Sequence, residues 1–238
     1  MNPGLIALKK RAVIGTNQTL SLLHFNAANG STTYTDQAGL VWTQQDTCPI
    51  STTQYKFGGS SLFPNIAGAI STPYSANVDL LSLPAWTVEC FVYSTSSPNN
   101  QRIFSTSGGA VGWDNTNGIH MLLQGVSGAP YLQVSNGTSS PLAITGGTFT
   151  VSAWNHVAVS LDTTGLRLYL NGSQVATQSA PTGIVRPSTN PSAEIARLIG
   201  QGSGNDWPGY IDEFRLSSVA RYTGSTYTVP TAEFSYPG

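Results

Sequence analysis

Charge is what this sequence lacks most. Only 9% of its 238 residues are Asp, Glu, Lys or Arg, against roughly 25% in ordinary soluble domains. Ser, Thr, Asn, Gln and 25 Gly fill the deficit. Ten basic residues against eleven acidic ones leave a net charge of −1. No broad basic surface exists to neutralise phosphates, so nucleic acid is excluded as a partner. The one basic cluster, Lys9-Lys10-Arg11, reads as a solvated or assembly segment. Two cysteines, Cys48 and Cys90, are too few for a disulfide framework. Cys90 shares a strand face with Val88 and Val92, which suits a small apolar core residue. No apolar run has the length of a membrane span, and no membrane partner is expected. The first residues do not make a secretory signal, because the charges follow the short apolar stretch. A hydroxyl- and amide-rich chain of this kind is expected either on a virion released by lysis or in a domain whose leader has been removed.

Helical periodicity is nearly absent as well. Short alternating runs recur between turn residues, the pattern of a sandwich or barrel. Expected strands include Leu20–Phe25, Trp86–Tyr93, Gly118–Leu123, Asn155–Leu161, Leu166–Leu170, Ala196–Ile199 and Gly209–Ser217, with a helical turn only at Ser217–Tyr222. In Leu166-Arg167-Leu168-Tyr169-Leu170 the leucines share the inward face, and Arg167 and Tyr169 point outward. Asn171-Gly172 then supplies the positive φ angles of a tight hairpin turn. No linker or repeat divides the chain. The reading is an N-terminal arm over residues 1–18 and one domain over 19–238, long enough to bury a core without staples.

Several blocks occur in a telling order: Lys56-Phe57-Gly58-Gly59-Ser60-Ser61-Leu62, then Trp86-Thr87-Val88-Glu89, Trp154-Asn155-His156-Val157, Leu168-Tyr169-Leu170-Asn171-Gly172, and Gly209-Tyr210-Ile211-Asp212-Glu213-Phe214. Together they resemble the concanavalin A-like lectin/glucanase superfamily, specifically laminin G-like domains. The resemblance implies an all-β, concanavalin A-like jelly-roll β-sandwich of two antiparallel sheets. The closing stretch Val219-Ala220-Arg221-Tyr222-Thr223-Gly224 with Pro230-Thr231-Ala232-Glu233-Phe234 resembles a variant seen in phage structural proteins and related bacterial modules.

The superfamily contains glycoside hydrolases, in which retaining chemistry needs two carboxylates about 5–5.5 Å apart. None of the eleven acidic residues has the Glu-x-Asp-x-x-Glu spacing of those enzymes. Asp212 and Glu213 are neighbours on a strand and are expected to face opposite sides. His24, His120 and His156 show no metal-ligand spacing, and His156 reads as a packed strand residue. The expectation is a protein that is not an enzyme.

By parity Asp212 lies with Phe214 and Leu216 on the apolar side, where a carboxylate must be ligated or paired. The resemblance implies a structural Ca²⁺ there, held by Asp212 with oxygens around Asn26, Gly30 and Asp36. Backbone amides or an arginine are the competing partners. Sugar binding needs an aromatic plate beside planar polar groups. Asn205-Asp206-Trp207 offers one such loop, and Trp113-Asp114 a second; Trp207 also suits packing over the end of the sandwich. The function expected is a bacteriophage virion component, a capsid decoration or tail fibre protein. It would partner other virion proteins or itself, as in a homotrimer, and host-surface glycans. The alternative is a carbohydrate-binding module of a secreted or cell-surface protein.

Overall fold

Burial alternates along the chain with the period of a pleat. From Ala129 to Val134 every second side chain is buried, which places one face against a core and the other outward. The computed structural model describes residues 18–65, 68–107, 121–134, 142–180, 192–197 and 205–237. Within them the strands run β1 Thr19–Leu23, β2 Thr43–Gln45, β3 Ile50–Ser51, β4 Ser61–Leu62, β5 Ala69–Pro73, β6 Trp86–Ser94 and β7 Gln101–Ser107. They continue with β8 Met121–Val126, β9 Ala129–Val134, β10 Leu142–Thr145, β11 Trp154–Asp162, β12 Gly165–Leu170, β13 Ser173–Gln178, β14 Ser192–Ile195 and β15 Gly209–Ser217.

Two antiparallel sheets result. One has the order β13-β12-β11-β6-β15-β4-β3, with β1 also paired to β15; the other has the order β10-β9-β8-β7-β14-β5-β2. The chain is a jelly-roll sandwich. Val157, Val159 and Leu161 pair with Leu170, Leu168 and Leu166, so six apolar side chains enter the core in register. Each contributes roughly 1.5–3 kcal/mol on burial, and a slip of one residue would turn all six outward. Phe214 of the first sheet meets Phe104 of the second at 5.1 Å between ring centres, bridging the layers. Cys48 and Cys90 are both buried free thiols, and Cys90 lies in the core beside Val88 and Val92. Asn171 (φ 49) and Gly172 (φ 84) make the expected turn.

Four local expectations need correction. A strand runs at Ser192–Ile195 and ends before the one expected at Ala196–Ile199, because Ala196 takes a left-handed φ of 77 and breaks the pleat; Leu198 and Ile199 lie outside the described residues. The stretch Ser217–Tyr222 is not helical. Its amides are taken by other elements: Ser218 by the Gln18 carbonyl at 2.8 Å, and Arg221 by Thr87 Oγ1 at 2.9 Å. Tyr169 does point away from the core but is buried, because the C-terminal segment lies over that face. Tyr222 and Tyr227 stack against each other at 3.7 Å, and both rings pack on Tyr169. Finally, β15 carries a bulge between Asp212 and Arg215, with Glu213 at φ 51. Parity therefore inverts: Ile211, Phe214 and Leu216 face the core, while Asp212 and Arg215 face the covered outer side. The arm expected over residues 1–18 lies, apart from Gln18, outside the described residues.

Candidate functional site

Beyond β1 the chain makes a tight excursion and returns as an extended segment, Thr33–Gln37. Tyr34 and Asp36 turn inward while Thr33, Thr35 and Gln37 are exposed, so hydroxyl, hydroxyl and amide line up on one side. Asp36 pins the segment. Its Oδ2 accepts from the Ser21 hydroxyl and from the Trp42 indole at 3.0 Å, and its Oδ1 accepts from the Ala38 amide at 2.7 Å. The Gln37 amide donates to the Leu22 carbonyl at 2.9 Å. Opposite stand His24 and Asn26, set two residues apart by Phe25 at φ 59. The space between is a cleft of about 170 Å³ lined by His24, Phe25, Asn26, Thr33, Thr35 and Gln37. Each polar group on its wall hydrogen-bonds without a fixed negative charge, and the scaffold holds it still.

The groups behind the cleft set its electrostatics. His24 Nδ1 lies 2.8 Å from Glu213 Oε1. That hydrogen bond, opposed by partial burial and aided by the charges of Glu213, Glu233 and Asp212, raises the imidazole above its ordinary value. Asn26 Nδ2 donates to Glu233 Oε1 at 2.7 Å. Gly58, at φ 60, makes room for Asn26: a Cβ there would stand 1.7 Å from Asn26 Oδ1. The Phe234 amide donates to Glu213 Oε2 at 2.7 Å, tying the C-terminal segment to the back of the site.

The four residues expected to hold calcium do separate jobs. Asn26 lines the cleft, Asp36 pins its wall, and Gly30 closes a turn, its amide donating to the Ile50 carbonyl at 2.8 Å. Asp212 Oδ2 accepts from the Lys56 and Phe57 amides at 2.8 and 3.1 Å, and Oδ1 from the Glu213 amide at 2.9 Å. Burial pushes Asp212 up to about 7 against the pull of the Phe57 and Lys56 amides, with the Glu213 charge adding to the rise. Three N–H donors thus occupy the Asp212 carboxylate. Among the described residues no group of three or more His, Cys, Asp or Glu is placed to hold a metal.

The expected separation of Asp212 from Glu213 also fails. The bulge brings both carboxylates to the outer side of the sheet, where the Glu213 charge makes Asp212 harder to ionise, and both are fully buried. Glu89 is buried too. Its Oε1 accepts from Arg215 Nε at 2.8 Å and Nη2 at 2.6 Å, and its Oε2 accepts from the Tyr222 hydroxyl at 2.6 Å. Burial alone would raise Glu89, but contact with His156, the Arg215 charge and the Tyr222 hydroxyl bring it down to about 2. His156 is the packed strand residue expected, buried beneath Tyr222, Tyr227 and Phe234.

The proposed sugar loops fare differently. Trp207 has 0% of its surface exposed and packs edge-on against Phe149 at 5.6 Å, so it cannot stack on a sugar. Asp206 is buried beside Arg197. The Asn205 carbonyl accepts from the Arg102 amide at 2.8 Å. Trp113 and Asp114 lie outside the described residues. His24 was read only as lacking metal-ligand spacing, and Thr33, Thr35 and Gln37 carry no motif, although Thr33-Tyr34-Thr35-Asp36-Gln37 has the alternation that builds the wall.

Comparison with known proteins follows the geometry. A family model described as the concanavalin A-like lectin/glucanases superfamily matches residues 67–223. Pappalysin-1 of Mus musculus is 32% identical over 68 residues, 29% of this chain and 4% of that protein; the chain thus spans a small fraction of this relative's length. Among solved structures, domain 4 of AbnA, a GH43 extracellular arabinanase from Geobacillus stearothermophilus in complex with arabinotriose, superposes with a TM-score of 0.62 at 18% identity, covering 85% of this chain and 93% of that one. The binding domain of botulinum neurotoxin DC, in complex with rat synaptotagmin II, gives 0.58 at 12% identity over 85% and 49%. The CBM40 of a Ruminococcus gnavus IT-sialidase, bound to α2,3 sialyllactose, gives 0.51 at 16% identity over 63% and 86%. At these identities the likeness is one of fold.

Proposed function

The chain belongs to the concanavalin A-like lectin/glucanases superfamily, and from that premise we propose that it is a non-catalytic carbohydrate-recognition module whose cleft is formed by His24, Asn26, Thr33, Thr35 and Gln37. The cleft itself carries the reading. Its volume of about 170 Å³ suits a single sugar ring, and hydroxyls and side-chain amides both donate and accept, as sugar hydroxyls do. Segments pinned by Asp36 and by Glu213 hold those groups in place, which keeps the ordering cost of binding low. A hydrolase reading lacks support, because Glu89, Asp212 and Glu213 are sealed from solvent and committed to internal partners.

The test is glycan-array binding followed by titration calorimetry of the full chain. Gln37→Ala and Thr35→Val should each weaken the best ligand by about fivefold to tenfold, the worth of one or two hydrogen bonds, without lowering Tm. Loss of all glycan binding on a broad array, or binding indifferent to both substitutions, would overturn the reading. Turnover of a polysaccharide would replace it with an enzymatic one.

For the setting we propose a virion or a bacterial cell surface. The observation favouring it is the 9% charge content, which leaves a surface of hydroxyls and amides. Mass spectrometry of purified particles and of surface fractions checks it, and a chain confined to neither would refute it.

A further inference from the structure

Among the described residues, Arg167, Arg197, Arg215 and Arg221 each face a carboxylate. Arg102 does not. It is 4% exposed, and its Nη1 hydrogens go to three neutral oxygens: the Asn100 carbonyl, Asn100 Oδ1 at 2.9 Å and Gln124 Oε1. Its Nε is sealed from solvent without an acceptor. Its Nη2 makes no hydrogen bond to a described residue and is not sealed in that way. Every acidic residue but Asp114 is among the described ones. Glu194, which β14 turns to the same side of the smaller sheet, is fully buried and takes the Ser192 hydroxyl. Burial, with no carboxylate to oppose it, holds Arg102 down to about 10. A buried guanidinium without a counter-ion is costly, and an anion that reaches Nη2 relieves that cost through charge-assisted hydrogen bonds.

The strand register sets what stands beside this charge. Arg102 lies opposite Gln124 on β8, Gln124 opposite Tyr131 on β9, and Tyr131 opposite Thr145 on β10. Directly opposed residues share a face, and Leu132 and Ile144 mark the other face as core. The four therefore form one row across the outer side of the smaller sheet, with Tyr131 half-buried and Thr145 exposed. Asn100 Oδ1 and Gln124 Oε1 are drawn onto the guanidinium. Their NH₂ groups and the Tyr131 hydroxyl are left as donors that no described residue takes up. The turn carrying Asn100 is fixed, its amide donating to the Gly125 carbonyl at 2.7 Å and the Gly128 amide to the Pro98 carbonyl at 2.8 Å. One cation with one open nitrogen suits a singly charged group. An aromatic ring lies two strands away, about 10 Å at the spacing of opposed side chains, within the span of a sugar and its substituents.

We propose that this row binds an acidic saccharide, its carboxylate paired with Arg102 and its hydroxyls and ring lying along Gln124 and Tyr131. The proposal takes its ligand class from the carbohydrate reading and uses none of the residues of the first cleft. It assigns the protein a preference for uronic-acid-type over neutral sugars at this second site.

The full chain is titrated by calorimetry with glucuronic acid, glucose and acetate. Saturable binding of glucuronic acid is expected, weakening as salt is raised. Gln124→Glu is the decisive variant, because it places a carboxylate where Gln124 Oε1 already meets Arg102 Nη1. It should raise Tm by about 2–4 °C, weaken glucuronic acid by about tenfold or more, and leave neutral-glycan binding at the first cleft intact. Tyr131→Ala should weaken glucuronic acid without the rise in Tm. In the wild-type protein, NMR should show the Arg102 Nε–H resonance moving with glucuronic acid and not with glucose, a readout that needs no variant to fold. Neutral-glycan binding without glucuronic acid binding overturns the row alone, and glucuronic acid binding without neutral-glycan binding overturns the cleft alone. A Gln124→Glu protein of unchanged Tm and affinity, or an Arg102 resonance that stays still, also overturns the row. An equal response to acetate and glucuronic acid overturns its assignment to a saccharide.

Discussion

Trp207 shows how one side chain can satisfy two sequence readings and be resolved only by packing. A tryptophan flanked by Asn205, Asp206 and Pro208 has the chemistry of a sugar platform, yet its ring fills the end of the core against Phe149. Trp207→Ala should cost about 3–5 kcal/mol in chemical denaturation, the usual penalty for an emptied aromatic site, with glycan affinity of the folded fraction unchanged. Glu89 makes the opposite case, a charge whose value lies in its partners. Replacing it with Gln leaves Arg215 buried without a counter-ion, and a loss of about 3–5 kcal/mol is expected, read as a drop in midpoint with unaltered denaturant slope. Neither partner set was visible in the sequence, since Glu89 and Arg215 are 126 positions apart.

At the scale of elements, the strands were legible because leucine and valine alternate with polar residues, as in β11 and β12. The short strands β2, β3 and β10 were not, since two to four residues carry too little periodicity to distinguish from loop. The bulge in β15 was invisible for a different reason. Nothing in Gly209–Ser217 marks Glu213 for a left-handed conformation, and its partners His24 and Phe234 come from either end of the domain. Gly58 links element geometry to the cleft. Gly58→Ala strains a positive φ by roughly 1–2 kcal/mol and drives its Cβ into Asn26. A modest fall in Tm and a clear loss of glycan affinity are expected, measured by calorimetry on the same sample. The C-terminal segment is an element of the core in all but name. Removing residues 223–238 uncovers Phe91, His156 and Tyr169, and a chain that binds hydrophobic dye and melts without cooperativity is the expected outcome.

The whole molecule combines these charges into a pH response. Asp212, raised to about 7, takes up a proton on folding between its ordinary value and 7, so stability falls as pH rises through that window. His24, raised above 6.5, contributes stability in full below that value and loses it as pH rises through its folded pKa. Glu89, lowered to about 2, acts in reverse: its contribution is present above 4.5 and is lost as pH falls toward 2. Tm should therefore peak on the acid side of neutrality and decline toward pH 8, and Asp212→Asn should flatten that decline. A Tm that rises steadily from pH 5 to pH 8 would contradict this assignment. Taken alone, the amino-acid order determined the sandwich, its inward leucines and valines, the Asn171-Gly172 turn and the neutral, hydroxyl-rich surface, because each depends on residues close together along a strand. The tertiary structure alone decided the cleft between His24 and Gln37, the sealing of Asp212 and Glu213, and the pairing of Glu89 with Arg215. Those depend on the bulge and on the C-terminal segment folding back over β6 and β11, contacts between distant positions that no local pattern encodes.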